Sequence, residues 1–249
     1  MGKAFEKALV QERESILDIY RQIQFPRLAE DIIHSQIIPF ATYSPWVEDE
    51  DFLIVYRLIK DSTLVDIYRC YELWKLVTQL CQVSGDILEV GVWKGGTGAL
   101  LCKANEVSHF KGKTYLADTF NGVIKATDKD PVYRGGEHSD TTFNEVDTLM
   151  EYVRAQNYEI LEGVFPENFP DLEIPLLKFC HIDVDTYLSA KDVFEYAWPR
   201  MVQGGMVVFD DYGFWTCEGV TKYFNSLVIS NGIKIHNING HGIIVKFKE

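Results

Sequence analysis

The feature that most constrains this chain is an alternation that begins at Asp86. Short apolar runs, DILEVGV (86–92), KTYLAD (113–118), YEILEG (158–163), LLKFCHIDVD (176–185) and GGMVVFDD (204–211), are separated by segments with helical spacing. Runs of that length between turn signals read as buried strands, and apolar residues recurring every three to four positions read as helices. Strands that alternate with helices imply a parallel sheet covered on both faces. After the segment CEGVTKYFNSLVIS, IKIHNI and HGIIVKF flank Asn239-Gly240. Asn-Gly between alternating runs is a strong hairpin signal, so a terminal hairpin is expected to add one antiparallel strand.

Residues 1–84 read as helical. ALVQERESILDIYRQI (8–23) and DSTLVDIYRCYELWKLVTQLCQV (61–83) have helical periodicity, with Gly85 as a stop signal. Pro26, Pro39 and Pro45 interrupt the segment, and IIPFATYSPWVEDEDF (37–52) reads as a loop. The expected division is a helical region or lid over 1–84 and an α/β domain over 85–249. Tyr43 and Trp46 suit the aromatic loop of a lid.

A chain of 249 residues buries enough surface for a sizeable core without covalent staples. Its formal charge of −13 argues against nucleic acid or an anionic membrane as main partner, since both favour basic surfaces. Five cysteines at irregular spacing, with no Cys-x-x-Cys, argue against a structural zinc site and a disulfide framework. The charged amphipathic start and the lack of an uncharged 18-residue apolar run point to a cytoplasmic protein without a membrane span.

In an open α/β sheet, ligands bind beyond the carboxyl ends of the strands. Those ends here carry Glu89, Asp118, Glu162-Gly163, Asp183-Val-Asp185 and Asp210-Asp211. The loop Glu89-Val-Gly91-Val-Trp93-Lys94-Gly95-Gly96 fails as a dinucleotide fingerprint, because Trp93 stands where the second glycine belongs. It fails as a P-loop because Thr97, not lysine, follows Gly96. It fits E-x-G-x-x-x-G, the loop of S-adenosylmethionine (SAM) methyltransferases. In that reading Glu89 faces the methionine ammonium and Asp118 accepts hydrogen bonds from the ribose hydroxyls.

The carboxylates are the stronger signal. Asp183, Asp185, Asp210 and Asp211 end two strands that should be neighbours. Consecutive aspartates in close quarters need a counter-cation, or one pKa rises. A hard divalent ion such as Mg²⁺, which prefers oxygen ligands, answers that need. Strand alternation sends Asp183 and Asp185 to one side, where one binds metal and the other stands beside the substrate as a base. Helix capping is the competing role: Asp185 precedes a helix starting near Ser189, and Asp211 precedes a loop and helix. It accounts for one or two of the four.

With these residues in place, the chain resembles the macrocin O-methyltransferase family of metal-dependent sugar O-methyltransferases. The resemblance rests on LEVGVWKGG (88–96), ADTFNG (117–122), ILEGVFPENFP (160–170), HIDVDTYLSAKDV (181–193) and GGMVVFDDYGFWTCEGVTKYF (204–224). It implies a class I SAM methyltransferase fold: a Rossmann-like, mostly parallel seven-stranded sheet with a C-terminal antiparallel hairpin and an N-terminal helical extension. It implies SAM contacts at Thr63, Leu64, Glu89, Gly91, Trp93, Gly95, Asp118, Phe120, Gly163 and Asp183. It implies Mg²⁺ on Asp183, Asp210 and Asp211, with Asp185 as general base or metal-bound Asp183 sharing that role. The implied acceptor is a glycosylated small molecule with a free hydroxyl, and the implied assembly is a homodimer or larger.

A catechol-type methyltransferase shares the same metal logic. A metal-dependent hydrolase leaves Glu89 and Asp118 unexplained, and a SAM-binding protein without catalysis leaves the four aspartates unexplained. His181, inside a strand, reads as a core histidine. His34, His109 and His138 are not distinguished by their context. Tyr187, Tyr212, Phe214 and Trp215 read equally as core or as pocket wall, Lys94 as exposed, and Cys217 as a small buried group.

Overall fold

The computed structural model describes residues 11, 12, 15, 16, 43–107, 109 and 111–247. The chain divides into two compact units, Met1–Tyr43 and Ser44–Glu249. In the first, Gln11, Glu12, Ser15 and Ile16 are helical, and the Ser15 hydroxyl donates to the Gln11 carbonyl at 2.9 Å. The rest of the helix expected over 8–23 lies outside the described residues, as do Pro26, His34 and Pro39.

Within the second unit the described strands are β1 (Asp86–Val90), β2 (Thr114–Asp118), β3 (Tyr158–Glu162), β4 (Leu177–Ile182), β5 (Met201–Phe209), β6 (Gly232–Ile235) and β7 (Gly242–Lys246). They form one seven-stranded sheet in the order β3-β2-β1-β4-β5-β7-β6. β1 to β5 pair in parallel, and β7 runs antiparallel to both β5 and β6. The chain leaves β1 towards β3 and returns to β4, so the order reverses between β1 and β4. Val90 lies level with Ala117 and Ile182, and Ile182 with Phe209. The carboxyl ends therefore open together at the reversal, where an open α/β sheet places its ligand.

The described α-helices are α1 (Glu50–Ile59), α2 (Ile67–Gln79), α3 (Gly96–Glu106), α4 (Phe143–Tyr152), α5 (Tyr187–Ala197) and α6 (Glu218–Ser226). Period-two alternation divides the sheet between two cores. Ile87, Leu116, Phe179 and Val208 face α1 to α4 with Phe52, Leu73, Trp74, Leu100 and Met150. Leu88, Ala117, Cys180 and Val207 face α5 and α6 with Val193, Phe194, Tyr223 and Phe224. Burial on both faces is why these strands are continuous apolar runs. Among the described residues no helix is long and apolar enough to cross a membrane. All five cysteines are free thiols.

Three local expectations are corrected. The loop read over 37–52 contains the start of α1: Pro45 opens a short 3₁₀ turn, and the Asp49 side chain accepts from the Phe52 amide at 3.1 Å. That cap, with Glu50 and Asp51 in the first turn, outweighs the proline signal. The helix read over 61–83 is shorter. Asp66 caps α2 by accepting from the amides of Tyr68 (2.9 Å) and Arg69 (3.0 Å), so the chain before it is not helical. α5 starts at Tyr187 with Thr186 at its cap position, two residues before Ser189.

Candidate active site

A cavity of about 310 Å³ opens at the carboxyl ends of the strands. Its two halves are built differently.

The first half is a backbone cradle. Gly91 has φ +89°, and a Cβ there would sit 1.5 Å from the Asp183 carbonyl oxygen. Only glycine lets β1 pass the end of β4 this closely. The Asp118 carboxylate fixes the loop that follows: Oδ2 accepts from the amides of Val92 (2.7 Å) and Trp93 (2.8 Å), and Oδ1 from Phe120 (2.7 Å). Trp93 takes a left-handed φ of 46°. Its indole donates to Asp140 at 2.9 Å, and Lys94, half-buried rather than exposed, pairs with the same carboxylate at 2.9 Å.

Of the expected SAM contacts, Thr63, Leu64, Gly91, Trp93, Asp118, Gly163 and Asp183 line this cavity; Glu89, Gly95 and Phe120 do not. Glu89 shares the Ile87 face of β1, so it points beneath α3 instead of out of the strand end. It is fully buried, with Oε1 2.9 Å from His181 Nδ1, and the structure does not set it facing a ligand ammonium. Gly95 is the left-handed residue before α3, and Phe120 packs edge-on against Phe143 with ring centroids 6.2 Å apart.

The second half is acidic. Asp183, Asp185, Asp210 and Asp211 all line the cavity. β4 stops at Ile182, so strand alternation does not place Asp183 and Asp185; Asp185 reaches the cavity from a left-handed φ of 61°. Neither Asp185 nor Asp211 caps a helix, since Thr186 precedes α5 and Cys217 precedes α6. Asp183, Asp210 and Asp211 each bring an oxygen within 4.8 Å of the others. Burial and the neighbouring charges push Asp183 and Asp211 well above the usual carboxylate range. Burial also opposes ionisation of Asp210, but the nearby imidazoles of His181 and His241 and the Arg69 charge hold it well below that range. Burial raises Asp185, partly offset by the hydrogen bond from Tyr133.

The counter-cation is one that sequence reasoning missed. Arg69 Nη1 donates to Asp210 Oδ2 and, at 3.1 Å, to Asp211 Oδ1. Its Nε donates to Asp66 at 3.0 Å, and its guanidinium lies 4.8 Å from the Phe214 ring centroid. Phe214 thus belongs to the wall, whereas Tyr212 packs on Phe224 and Tyr187 on Tyr223. A signal was legible in hindsight: Arg69 sits on the buried stripe of α2 with Cys70, Leu73, Trp74 and Val77, where a charge needs a partner. A carboxylate has about four lone-pair sites, so Arg69 does not exhaust the donors. Three convergent carboxylates remain a hard, all-oxygen set that fits a divalent cation such as Mg²⁺.

Two further wall residues complete this end: Tyr133, which the sequence reading did not name, and His138, one of the three histidines it left undistinguished. Tyr133 donates to Asp185 Oδ1 at 2.6 Å, and His138 Nε2 lies 3.4 Å from the Tyr133 oxygen. Both sit in the polar loop between β2 and α4, which has no periodicity to single them out. Cys217 is buried as expected and also lines the cavity, with its thiol donating to Asp185 Oδ1 at 3.6 Å.

Comparison with known proteins adds the identity of the scaffold. The family model described as Macrocin-O-methyltransferase (TylF) matches residues 60–245. The chain is 31% identical to the mycinamicin III 3''-O-methyltransferase of Micromonospora griseorubida, over 88% of this chain and 92% of that protein. It is 30% identical to the 8-demethyl-8-(2,3-dimethoxy-alpha-L-rhamnosyl)-tetracenomycin-C 4'-O-methyltransferase of Streptomyces olivaceus, over 65% of each. The solved structure of the O-methyltransferase NovP shares the fold, with a TM-score of 0.64 at 22% identity over 76% of this chain and 83% of that one. A cavity with a glycine cradle at one end and aspartates at the other, on this scaffold, is that of a methyl-transferring enzyme: the chain belongs to the macrocin O-methyltransferase family and is a SAM-dependent O-methyltransferase.

Proposed function

We propose that this enzyme methylates a hydroxyl of a sugar, or of a related natural-product acceptor, with Mg²⁺ held by Asp183, Asp210 and Asp211. The observation that carries the reading is the single cavity joining the Gly91–Asp118 cradle to the four aspartates. It brings a cofactor end and a hydroxyl-activating end within one small volume. The tetracenomycin relative names a rhamnosyl-bearing substrate and the mycinamicin relative a natural product methylated at a 3'' oxygen, which supports a sugar hydroxyl over a simple catechol.

SAM supplies an electrophilic methyl on its sulfonium when bound, and Mg²⁺ lowers the pKa of an acceptor hydroxyl and orients it. The chain does the rest. The cradle of Gly91, Trp93, Asp118 and Gly163, with Thr63 and Leu64 from the segment that packs on Gly96, holds the methyl donor. Asp185 accepts the proton of the acceptor hydroxyl as the new O–CH₃ bond forms and the S–CH₃ bond breaks. Tyr133 holds the Asp185 carboxylate by donating to Oδ1, which leaves Oδ2 for the incoming proton. Alignment of the two reactants accounts for much of the acceleration, about 7–11 kcal/mol in well-oriented cases.

The division into a helical region or lid over 1–84 and a SAM domain over 85–249 belongs to the same proposal; Val65 and Arg69, from the segment before β1, line the cavity. Free thiols on all five cysteines accord with a reducing, cytoplasmic setting. A homodimer or larger assembly belongs to the same proposal and is read by light scattering on the purified chain. The chemical assignment is tested with Asp185→Asn: turnover on a glycosylated acceptor is lost while S-adenosylhomocysteine binding is kept. Full turnover in that variant overturns Asp185 as the base.

A further inference from the structure

One motif of the sequence has no part in the chemistry above, the Asn239-Gly240 turn and the histidine that follows it. His241, just before β7, is 1% exposed and does not line the cavity. Its Nε2 lies 2.8 Å from Asp210 Oδ1, and its Nδ1 lies 2.5 Å from Glu72 Oε2. Asn237 Nδ2 donates to the other Glu72 oxygen at 3.1 Å, and the Asn239 amide donates to Asn237 Oδ1 at 2.8 Å. Glu72 stands one turn beyond Arg69 on α2, and Arg69 holds the second oxygen of Asp210. Both oxygens of this aspartate are therefore fixed by protein groups anchored on α2, one of them through the hairpin.

We infer that Glu72 and His241 are positioning residues for the metal site: a carboxylate–imidazole pair that sets the orientation of Asp210 from behind. The inference rests on the reading of Asp210 as a metal ligand. Its physical basis is a cost. An imidazole between two carboxylates is a poor way to fill a core, because apolar residues of similar volume stabilise as well or better. Hydrogen-bonded partners behind ligating carboxylates have a known use: they hold the ligand oxygen at the metal, and their loss typically weakens metal binding 10–100-fold. His181 approaches the same Asp210 oxygen at 3.7 Å, beyond hydrogen-bond range, so the orienting contact comes from His241. Gly240 makes that contact possible. Its φ is +79°, and a Cβ there would sit 2.7 Å from the Phe214 ring.

The test is Mn²⁺ affinity of the full chain, by electron paramagnetic resonance titration, beside S-adenosylhomocysteine affinity by calorimetry. The variants are His241→Leu, His241→Gln, Glu72→Leu and Glu72→Gln. His241→Leu and Glu72→Leu are expected to bind Mn²⁺ about 10–100-fold more weakly and S-adenosylhomocysteine within twofold of wild type. Glutamine, which keeps an amide donor at 241 or an amide oxygen at 72, is expected to recover part of the loss, and a core-filling role predicts no such recovery. Glu72 is partly exposed, so its variants keep the fold even where His241→Leu does not. Wild-type Mn²⁺ affinity in folded Glu72→Leu and Glu72→Gln overturns the inference and leaves the metal site standing. Absence of Mn²⁺ binding in the wild-type chain, with S-adenosylhomocysteine still bound, overturns both.

Discussion

Asp118 offers the sharpest single test of how the cofactor cradle is built. Its carboxylate accepts three backbone amides, from Val92, Trp93 and Phe120, at 2.7–2.8 Å. Asp118→Ala removes both acceptor oxygens and with them all three hydrogen bonds. A hydrogen bond to a charged group contributes about 1.5–3 kcal/mol when the freed donor stays buried. Val92 is 2% exposed, so its amide bears that cost, whereas Trp93 and Phe120 are only half-buried and water resolvates their amides. The expected loss is then about 3 kcal/mol, a fall of roughly 6–12 °C in Tm for a chain of this size. S-adenosylhomocysteine must also reorder the loop, so its Kd is expected to rise by roughly two orders of magnitude. Asp118→Asn keeps one acceptor but turns an amide N–H toward one of the donors, and it should lose about half as much free energy. The assay is ligand-free thermal unfolding followed by calorimetric titration. Unfolding reads the loop alone, and any excess loss of affinity reads a direct contact with the cofactor. An Asp118→Ala protein that melts with wild type and binds S-adenosylhomocysteine within twofold refutes the reasoning.

Other consequences follow from the acidic half and the core. Arg69→Gln breaks a nearly buried ion pair and is expected to cost about 3–5 kcal/mol; Mg²⁺ should recover part of it, as seen in Tm with and without the ion. Tyr133→Phe removes a donor from Asp185, so kcat is expected to fall about tenfold with S-adenosylhomocysteine affinity unchanged. Burial pushes the Lys178 ammonium down to about 8 from its ordinary 10.5. Between those values the unfolded chain binds more protons than the folded one, so this lysine makes stability rise with pH across that window. Lys178→Met should abolish that contribution, checked by denaturant unfolding at pH 8 and 10; an identical pH slope in both proteins contradicts it.

The sheet was legible because its strands are buried on both faces and flanked by glycine turns, and the hairpin from Asn239-Gly240. The strand expected over IKIHNI nevertheless ends at Ile235, and the connection runs over 236–241 instead of a two-residue turn, since Asn239 lacks the positive φ such a turn needs. The four aspartates were legible because strand ends locate ligands in this architecture. Partnerships across the fold were not. Glu89 and Asp118 both end strands, yet pleating sends Glu89 beneath α3 to His181 while Asp118 bonds the loop backbone. Arg69, Tyr133 and His241 reach the aspartates from a helix, a loop and a hairpin that are distant in sequence. Nothing local pairs them. The misread of α1 and α2 has a different, local root: the caps at Asp49 and Asp66 were present in the sequence but were outweighed by nearby prolines and by apolar periodicity.

In the proposed function, one cavity joins a metal-independent cofactor cradle to an acidic, metal-assisted acceptor end. This arrangement is tested most directly by titrating S-adenosylhomocysteine calorimetrically into wild type and Asp210→Asn, with Mg²⁺ and again with EDTA, while following methyl transfer to a glycosylated acceptor. Cofactor binding is expected under all four conditions, with turnover confined to wild type with Mg²⁺. Cofactor binding that disappears with EDTA, or turnover that persists in Asp210→Asn, contradicts it.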